Sequence, residues 1–293
     1  MPESVIKERG AVVVTGASSG IGEACALRLD RRGFQVFAGV RKEKDGKSLK
    51  AKASDRLTPI MLDVTDDASI EKAAGSVSEA VGDAGLRGLV NNAGIAVPGP
   101  LEFLPLEEMR RQLEVNVIGQ IAVTQAFLPL IRAGHGRIVN IGSVGGKIAA
   151  PLTGPYHASK FAMEALTDSL RQELRPWGIH VAIIEPGAID TPLWGKGQAA
   201  GDELEARLPQ RARELYEDAI AAVRKTAEKS ARDGIPPEEV AKAVTHALLS
   251  KNPRTRYVVG RDARIGTTIA RFVPDRMKDW LIAQQMGLPR GRL

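Results

Sequence analysis

Cysteine is almost missing from this chain. Cys25 stands alone among 293 residues, so no intrachain disulfide can form. The 4 histidines are scattered, and neither C-x-x-C nor H-x-x-x-H spacing occurs. A structural zinc site is therefore not expected, and no metal is assigned. Neither staple is needed, since a chain of this length buries roughly three quarters of its surface on folding. No Pro/Gly/Ser linker and no internal repeat divides the sequence, so residues 1–293 are read as a single domain. Long apolar runs are lacking too. The longest, 118–131, contains Gly119, Gln120, Thr124, Gln125 and Pro129, and falls short of the roughly 20 apolar residues that span a bilayer. No membrane span is expected. Residues 1–10 carry Glu3, Lys7, Glu8 and Arg9 rather than the apolar core of a signal peptide, which points to a cytoplasmic protein.

Neither sign of charge dominates. The chain has 41 Lys+Arg against 35 Asp+Glu, a net charge of +6. Its densest basic stretch, Arg41 to Lys47, is interrupted by Glu43 and Asp45. Without a basic cluster, no nucleic-acid partner is expected.

What is present is an alternation of short β-branched runs with helix-length amphipathic segments. Strands are read at 11–15, 35–40, 57–62, 88–90, 136–141 and 179–185, with a last short strand at 257–259. Helices are read at 21–32, from a cap at Asp66 to about 81, at 105–133 (with a kink), at 155–175 and from Pro236-Pro237 to about 249. Strands spaced by such helices imply βαβ units with right-handed crossovers. Apolar strands without alternation imply that both faces are covered. The expected fold is α/β: one Rossmann-like, doubly wound parallel sheet with helices on both faces. After residue 190 the character changes. Residues 191–201 read as Gly-rich and irregular and 202–231 as a charged helix, together a helical lid over about 191–235. A C-terminal helix at about 274–286 presents Met277, Trp280 and Leu281 for packing.

Two groups of residues carry chemistry. Thr15-Gly16-Ala17-Ser18-Ser19-Gly20-Ile21-Gly22 follows a strand and opens a helix, the context in which a dinucleotide is bound. Its glycines permit a tight turn and close backbone approach, and the helix N-terminus offers N–H groups to a pyrophosphate. The spacing is G-x-x-x-G-x-G rather than G-x-G-x-x-G. Tyr156 and Lys160 are four apart on a helix and share one face. An ammonium beside a phenol favours the phenolate and tunes the tyrosine toward a general acid/base. His157 points about 100° away from that face and is read as packing. Cys25 is read as a small core residue.

Taken with Asn91-Asn92-Ala93-Gly94, Asn116, Ser143 and Pro186-Gly187 in this order, these motifs make the chain resemble the short-chain dehydrogenase/reductase family over residues 11 to about 191. The resemblance implies a catalytic set of Ser143, Tyr156, Lys160 and Asn116. Tyr156 would exchange a proton with the substrate oxygen, and Ser143 would hydrogen-bond that oxygen. Lys160 would hold the nicotinamide ribose, while Asn116 anchors a water leading to the lysine. The implied cofactor shell is Gly16, Ser18, Ser19, Gly20, Ile21 and Gly22, then Arg41, Asp63 and Val64. It continues through Asn92, Ala93 and Gly94 to Tyr156 and Lys160, and closes with Pro186, Gly187, Ile189 and Thr191.

Arg41 follows Val40 at the end of the second strand, where enzymes of this fold that use NAD carry an acid. An arginine there suits a 2′-phosphate, so NADP(H) is favoured. Ser19 stands where many NADP-preferring relatives have a basic residue, which leaves NAD(H) open. Leu193, Trp194, Leu204, Leu208 and Leu215 in the lid suggest a lipophilic alcohol or ketone substrate, and the layout is similar to the steroid and retinol dehydrogenase branch. The expected function is interconversion of a secondary alcohol and a ketone. A 3-oxoacyl thioester reductase is the rival enzyme reading, and a non-enzymatic dinucleotide-sensing regulator the rival of another class. The resemblance also implies a homodimer or homotetramer.

Overall fold

The computed structural model describes residues 9–288. Residues 1–8, most of the segment read above for a leader, lie outside them. Seven parallel strands form one sheet in the order β3-β2-β1-β4-β5-β6-β7. They are β1 (Ala11–Val14), β2 (Gln35–Val40), β3 (Leu57–Met61), β4 (Leu86–Asn91), β5 (Arg137–Ile141), β6 (His180–Pro186) and β7 (Arg256–Val259). The chain winds one way from β1 to β3 and the other way from β4 to β7, so the order reverses between β1 and β4. In such sheets ligands bind outside the C-terminal strand ends at that reversal.

The helices are α1 (Gly20–Arg31), α2 (Glu43–Lys50), α3 (Asp67–Val81), α4 (Leu106–Leu113), α5 (Gly119–Ala133) and α6 (Gly154–Glu173). They continue as α7 (Leu193–Arg207), α8 (Gln210–Asp233), α9 (Pro237–Leu249), α10 (Arg261–Phe272) and α11 (Asp275–Met286). The central strands feed both faces of the sheet. In β1, Val12 and Val14 belong to a core with α1 and α9, while Ala11 and Val13 belong to one with α3 and α5. This is why the strand reads as an unbroken apolar run. Cys25 is buried in the first of these cores, and burial pushes its thiol up to about 12.

The strand and helix readings agree with the structure to within a few residues, and Asp66 caps α3 through Ala68 and Ser69. Four readings change. Residues 193–207 are helical rather than irregular, and α2 and α10 went unread. The kink in the long helix is a π-helical turn over Glu114–Ile118. The helical run Leu106–Ala133 is thus 28 residues long, and by length and composition it meets the requirement for a membrane span that 118–131 by itself does not. Its Val123, Phe127 and Ile131 are nevertheless buried in the sheet's core. On α11, Met277 and Trp280 are exposed, while Leu281 and Met286 are half-buried.

At the reversal the backbones approach closely. A Cβ on Gly22 would lie 2.3 Å from the Gly16 carbonyl oxygen, and Gly16 itself has φ +62°. Gly75 in α3 is exposed and has open space around it. Gly22→Ala is expected to cost about 1–3 kcal/mol by overpacking, whereas Gly75→Ala stabilises by about 0.5–1 kcal/mol. Denaturant unfolding of the two variants checks the contrast.

Candidate active site

β1 is followed by Thr15, whose hydroxyl accepts from Asn92 N at 2.9 Å and Ala93 N at 3.0 Å. The Asn92 amide returns to Thr15 O at 3.0 Å and Gly16 O at 3.1 Å. The ends of β1 and β4 are stitched together, and the glycine-rich turn hangs from the seam. Ser19 precedes α1 without a side-chain capping bond. The first N–H groups of the helix therefore have no side-chain partner of their own.

This seam opens onto a cleft of about 590 Å³. The cleft gathers the residues expected from the sequence. Ser18, Ser19, Gly20 and Ile21 line it beside Arg41, Asp63 and Val64. Ala93, Gly94, Pro186, Gly187, Ile189 and Thr191 form the adjoining wall, with Asn116, Ser143, Tyr156 and Lys160 between. Of the expected shell only Gly22 does not line the cleft; it packs α1 on the turn. Arg41 is exposed. One oxygen of Asp63 is committed to Thr65, through its N–H at 3.0 Å and its hydroxyl at 2.8 Å.

The polar heart of the cleft is built by β5, its following turn and α6. The Ser143 hydroxyl accepts from Gly145 N at 3.0 Å and lies within hydrogen-bonding reach of Tyr156. Lys160 is buried, with Nζ donating to Ile141 O at 2.9 Å and standing 5.7 Å from the centre of the Tyr156 ring. Loss of solvent pulls the Lys160 ammonium down to about 8. Burial also raises Tyr156, and Ser143 only partly offsets this. The sequence expectation that the lysine brings the tyrosine down is thus reversed here, because burial outweighs the distant ammonium. His157 turns away and meets Gly145 O through Nδ1 at 2.9 Å.

Asn116 sits in the π-helical turn and is fully buried. Its amide donates to Ile95 O and to Ser159 Oγ, each at 3.0 Å, and its oxygen accepts from Ile95 N at 2.9 Å. Ser159 in turn donates to Tyr156 O at 2.6 Å. These bonds tie the Asn116 side chain to Ile95 and brace the helix of Tyr156.

Two residues here, Gln112 and Asp262, were not found by sequence reasoning, and Trp194 was read only as apolar lid surface. Gln112, fully buried, holds Val97 N at 2.7 Å and Ile95 O at 2.9 Å. Asp262 accepts from Ala188 N at 2.6 Å and packs on Gly187. The Trp194 indole donates to Ile189 O at 2.7 Å and pins the start of α7. Gly260 before an acidic first turn was the available signal for α10, and so for Asp262.

The outer wall of the cleft combines an apolar surface with charged lid residues, among them Asp202, Glu205 and Arg224. Leu204 and Leu208 are buried, Leu204 packs with Val97 and Leu104, and Ile220, Val223 and Met286 extend the wall. The segment that supplies it leaves and rejoins the sheet at one narrow neck. Ile235 N donates to Ala188 O at 3.1 Å and Asp190 N to Ile235 O at 3.0 Å.

A doubly wound sheet with this cleft at its reversal defines a Rossmann-like, dinucleotide-binding class of fold. The short chain dehydrogenase family model matches residues 10–201, and the chain belongs to the short-chain dehydrogenase/reductase family, whose members act on CH–OH groups. It is similar to the NADPH-dependent 3-dehydrocapnine reductase of Ornithobacterium rhinotracheale, at 38% identity over 91% of this chain and 94% of that protein. Mouse (Mus musculus) retinol dehydrogenase 5 is 40% identical over 92% of this chain and 86% of its own length. Among solved structures, a short-chain dehydrogenase from Burkholderia cenocepacia in complex with NADP has a TM-score of 0.69 at 27% identity, covering 96% of this chain and 98% of that one.

A base held below its ordinary value destabilises the fold while it is charged, and that cost fades as pH rises from about 8 toward 10.5. Without cofactor, Lys160→Met is expected to exceed wild type in stability at pH 7 by up to about 3 kcal/mol. The advantage shrinks across pH 8–10. Chemical unfolding at pH 7 and pH 9.5 reads the difference.

Proposed function

We propose that this chain is an NADP(H)-dependent reductase/dehydrogenase that interconverts a ketone and a secondary alcohol on a lipophilic substrate, with Tyr156 as general acid/base. The observation that carries this reading is the convergence of Ser143, Tyr156 and Lys160 at the floor of a cleft whose outer wall carries an apolar surface. The named relatives that use NADPH or act on retinol support it.

The cleft fits the cofactor. Gly16 has no room for a Cβ, which would lie 2.9 Å from Ala93 Cα, and no side chain caps α1. In this reading the α1 N-terminus holds the pyrophosphate and Arg41 the 2′-phosphate. Asp63 and Val64 flank the adenine. Asn92, Ala93 and Gly94 line the ribose, Lys160 meets the nicotinamide ribose hydroxyls, and the 186–191 segment covers the nicotinamide. NADP(H), when bound, supplies or accepts the hydride.

The side chains then handle the proton. Ser143 donates a hydrogen bond to the substrate oxygen and orients it toward Tyr156. Tyr156 gives its proton to that oxygen during reduction and takes one back during oxidation. Burial holds its phenol protonated, the state that reduction requires. Lys160, pulled down toward neutrality, passes a proton to or from the tyrosine at low cost. Asn116 keeps this helix in place through Ser159. Val97, Leu204, Leu208 and Val223 exclude water from the substrate's apolar body.

We further assign the chain to one working domain over 1–293, acting as a homodimer or homotetramer. Ile118 and Phe161, 55% and 45% exposed, supply apolar surface on the helical run and on α6. A sedimentation mass at monomer overturns the assembly.

The cofactor reading is tested by titrating NADPH and NADH and following nicotinamide fluorescence. Arg41→Ala is expected to weaken NADPH about 10- to 100-fold, the worth of one charge-assisted contact, and to leave NADH within about twofold. Equal loss for both would make Arg41 a solvated charge. Tyr156→Phe is expected to lower kcat by about 10²- to 10⁴-fold while the NADPH Kd holds. Turnover surviving that change would remove the tyrosine from the reaction.

A further inference from the structure

Outside the residues that line the cleft, β6, α6, β7 and the turn after β5 bring charged groups together. Glu185 at the end of β6 and Glu164 on α6 are 1% and 7% exposed. Lys147, just after the Ser143 turn, places Nζ 2.6 Å from Glu164 Oε2 and 3.7 Å from Glu185 Oε1. Arg256 on β7 stands 3.1 Å from Glu164 Oε2, 3.3 Å from Glu185 Oε1 and 2.7 Å from Asp168 Oδ2. Asp168 is also paired to Arg171. Among the described residues, neither Glu164 Oε1 nor Glu185 Oε1 has a hydrogen-bond partner, although Glu185 Oε1 keeps its ion-pair contacts to Arg256 and Lys147. Two buried carboxylate oxygens without a hydrogen bond would be a costly arrangement if both groups stayed ionised.

We infer that Glu164 and Glu185 share a single proton and that the pair is a positioning device, holding the Ser143–Lys147 turn against the strand end that carries Pro186 and Gly187. Both carboxyls reach the same two cations, Lys147 and Arg256, and a proton held between them relieves the cost of keeping both charged. The two side chains are within hydrogen-bonding reach. Burial, and then the charge of Glu164, push Glu185 up to about 7, while Lys147 and Arg256 pull the other way. Like-charged carboxyls confined together titrate in this manner. Neither glutamate lines the cleft, so both act through the turn they hold. The consequence for Ser143 rests on the reading of the site given above; the shared proton does not.

The sign follows from the raised value. A carboxyl held above its ordinary 4.5 contributes stability that is full below that value and is lost as pH rises through about 7. The clamp is therefore tight at pH 6 and loose at pH 8.

Infrared difference spectroscopy on the full chain without ligand, wild type against Glu185→Gln, tests the proton. The expected result is a protonated-carboxyl band that fades near pH 7 in wild type and is absent from the variant. Hydrogen exchange of residues 143–147 tests the clamp. Protection is expected to fall at least about fivefold from pH 6 to pH 8 in wild type, and by less than about twofold in Glu185→Gln, whose amide keeps a donor facing Glu164. Should Glu185→Gln fail to fold, Glu164→Gln presents the same donor from the other side and is expected to behave alike. Absence of the band overturns the shared proton. A band with equal loss of protection in variant and wild type overturns the positioning role. Neither readout depends on turnover, so failure of the proposed reaction leaves both outcomes distinct.

Discussion

Two strand ends that lie closer than side chains would permit organise this molecule. Where β1 and β4 part at the sheet's reversal, the Thr15 hydroxyl takes two backbone N–H groups from Asn92 and Ala93, and the Asn92 amide answers on Thr15 and Gly16. Only a residue without a Cβ fits beside this seam, and Gly22 must be equally small for α1 to sit down on it. Once α1 is seated, its free N–H groups point outward at the cleft, and every other wall is measured from it. Loosening the seam would not remove a contact at the cofactor site so much as remove the reference against which the others are placed.

Burial, rather than pairing, sets the electrostatics around that seam. Lys160 has one carbonyl for company and is drawn down; Tyr156 is raised despite the lysine; Glu185 is raised despite two cations. Each group is moved toward its uncharged form, as desolvation requires. At pH 7 Lys160 still carries its charge, but a value of about 8 puts release of that proton within easy reach. On the lid, by contrast, charges are paired: Arg224 meets Asp202 and Glu205 at 2.5 and 2.8 Å in partial contact with water.

Most of the sheet was legible because its residues answer to local rules. Val12 to Val14 are apolar on both faces, Asp66 caps a helix as aspartate does, and the glycine-rich turn sits where a strand meets a helix. Ser143, Tyr156 and Lys160 were legible as a motif, yet the direction in which Tyr156 shifts was not, since it depends on how much water the folded chain excludes. Gln112 and Asp262 were invisible for a related reason: each is one polar residue whose backbone partners lie well away along the chain. The helix at 193–207 was misread because Gly195, Gly197 and Gly201 argue for a loop. Packing of Leu204 on Val97 and Leu104 overrides them.

The neck at Ala188, Asp190 and Ile235 has an implication of a different kind. Both ends of the intervening lid, residues 191–234, are fixed to each other by two backbone bonds that involve no lid side chain. The cost of closing such a loop grows slowly, by about 0.6 kcal/mol for each doubling of length. The lid is thus an exchangeable cassette: insertions, deletions and wholesale changes of sequence between these ends leave the sheet, the seam and the proton-handling residues untouched. A fold with such a joint can acquire a new substrate without having to reinvent its chemistry.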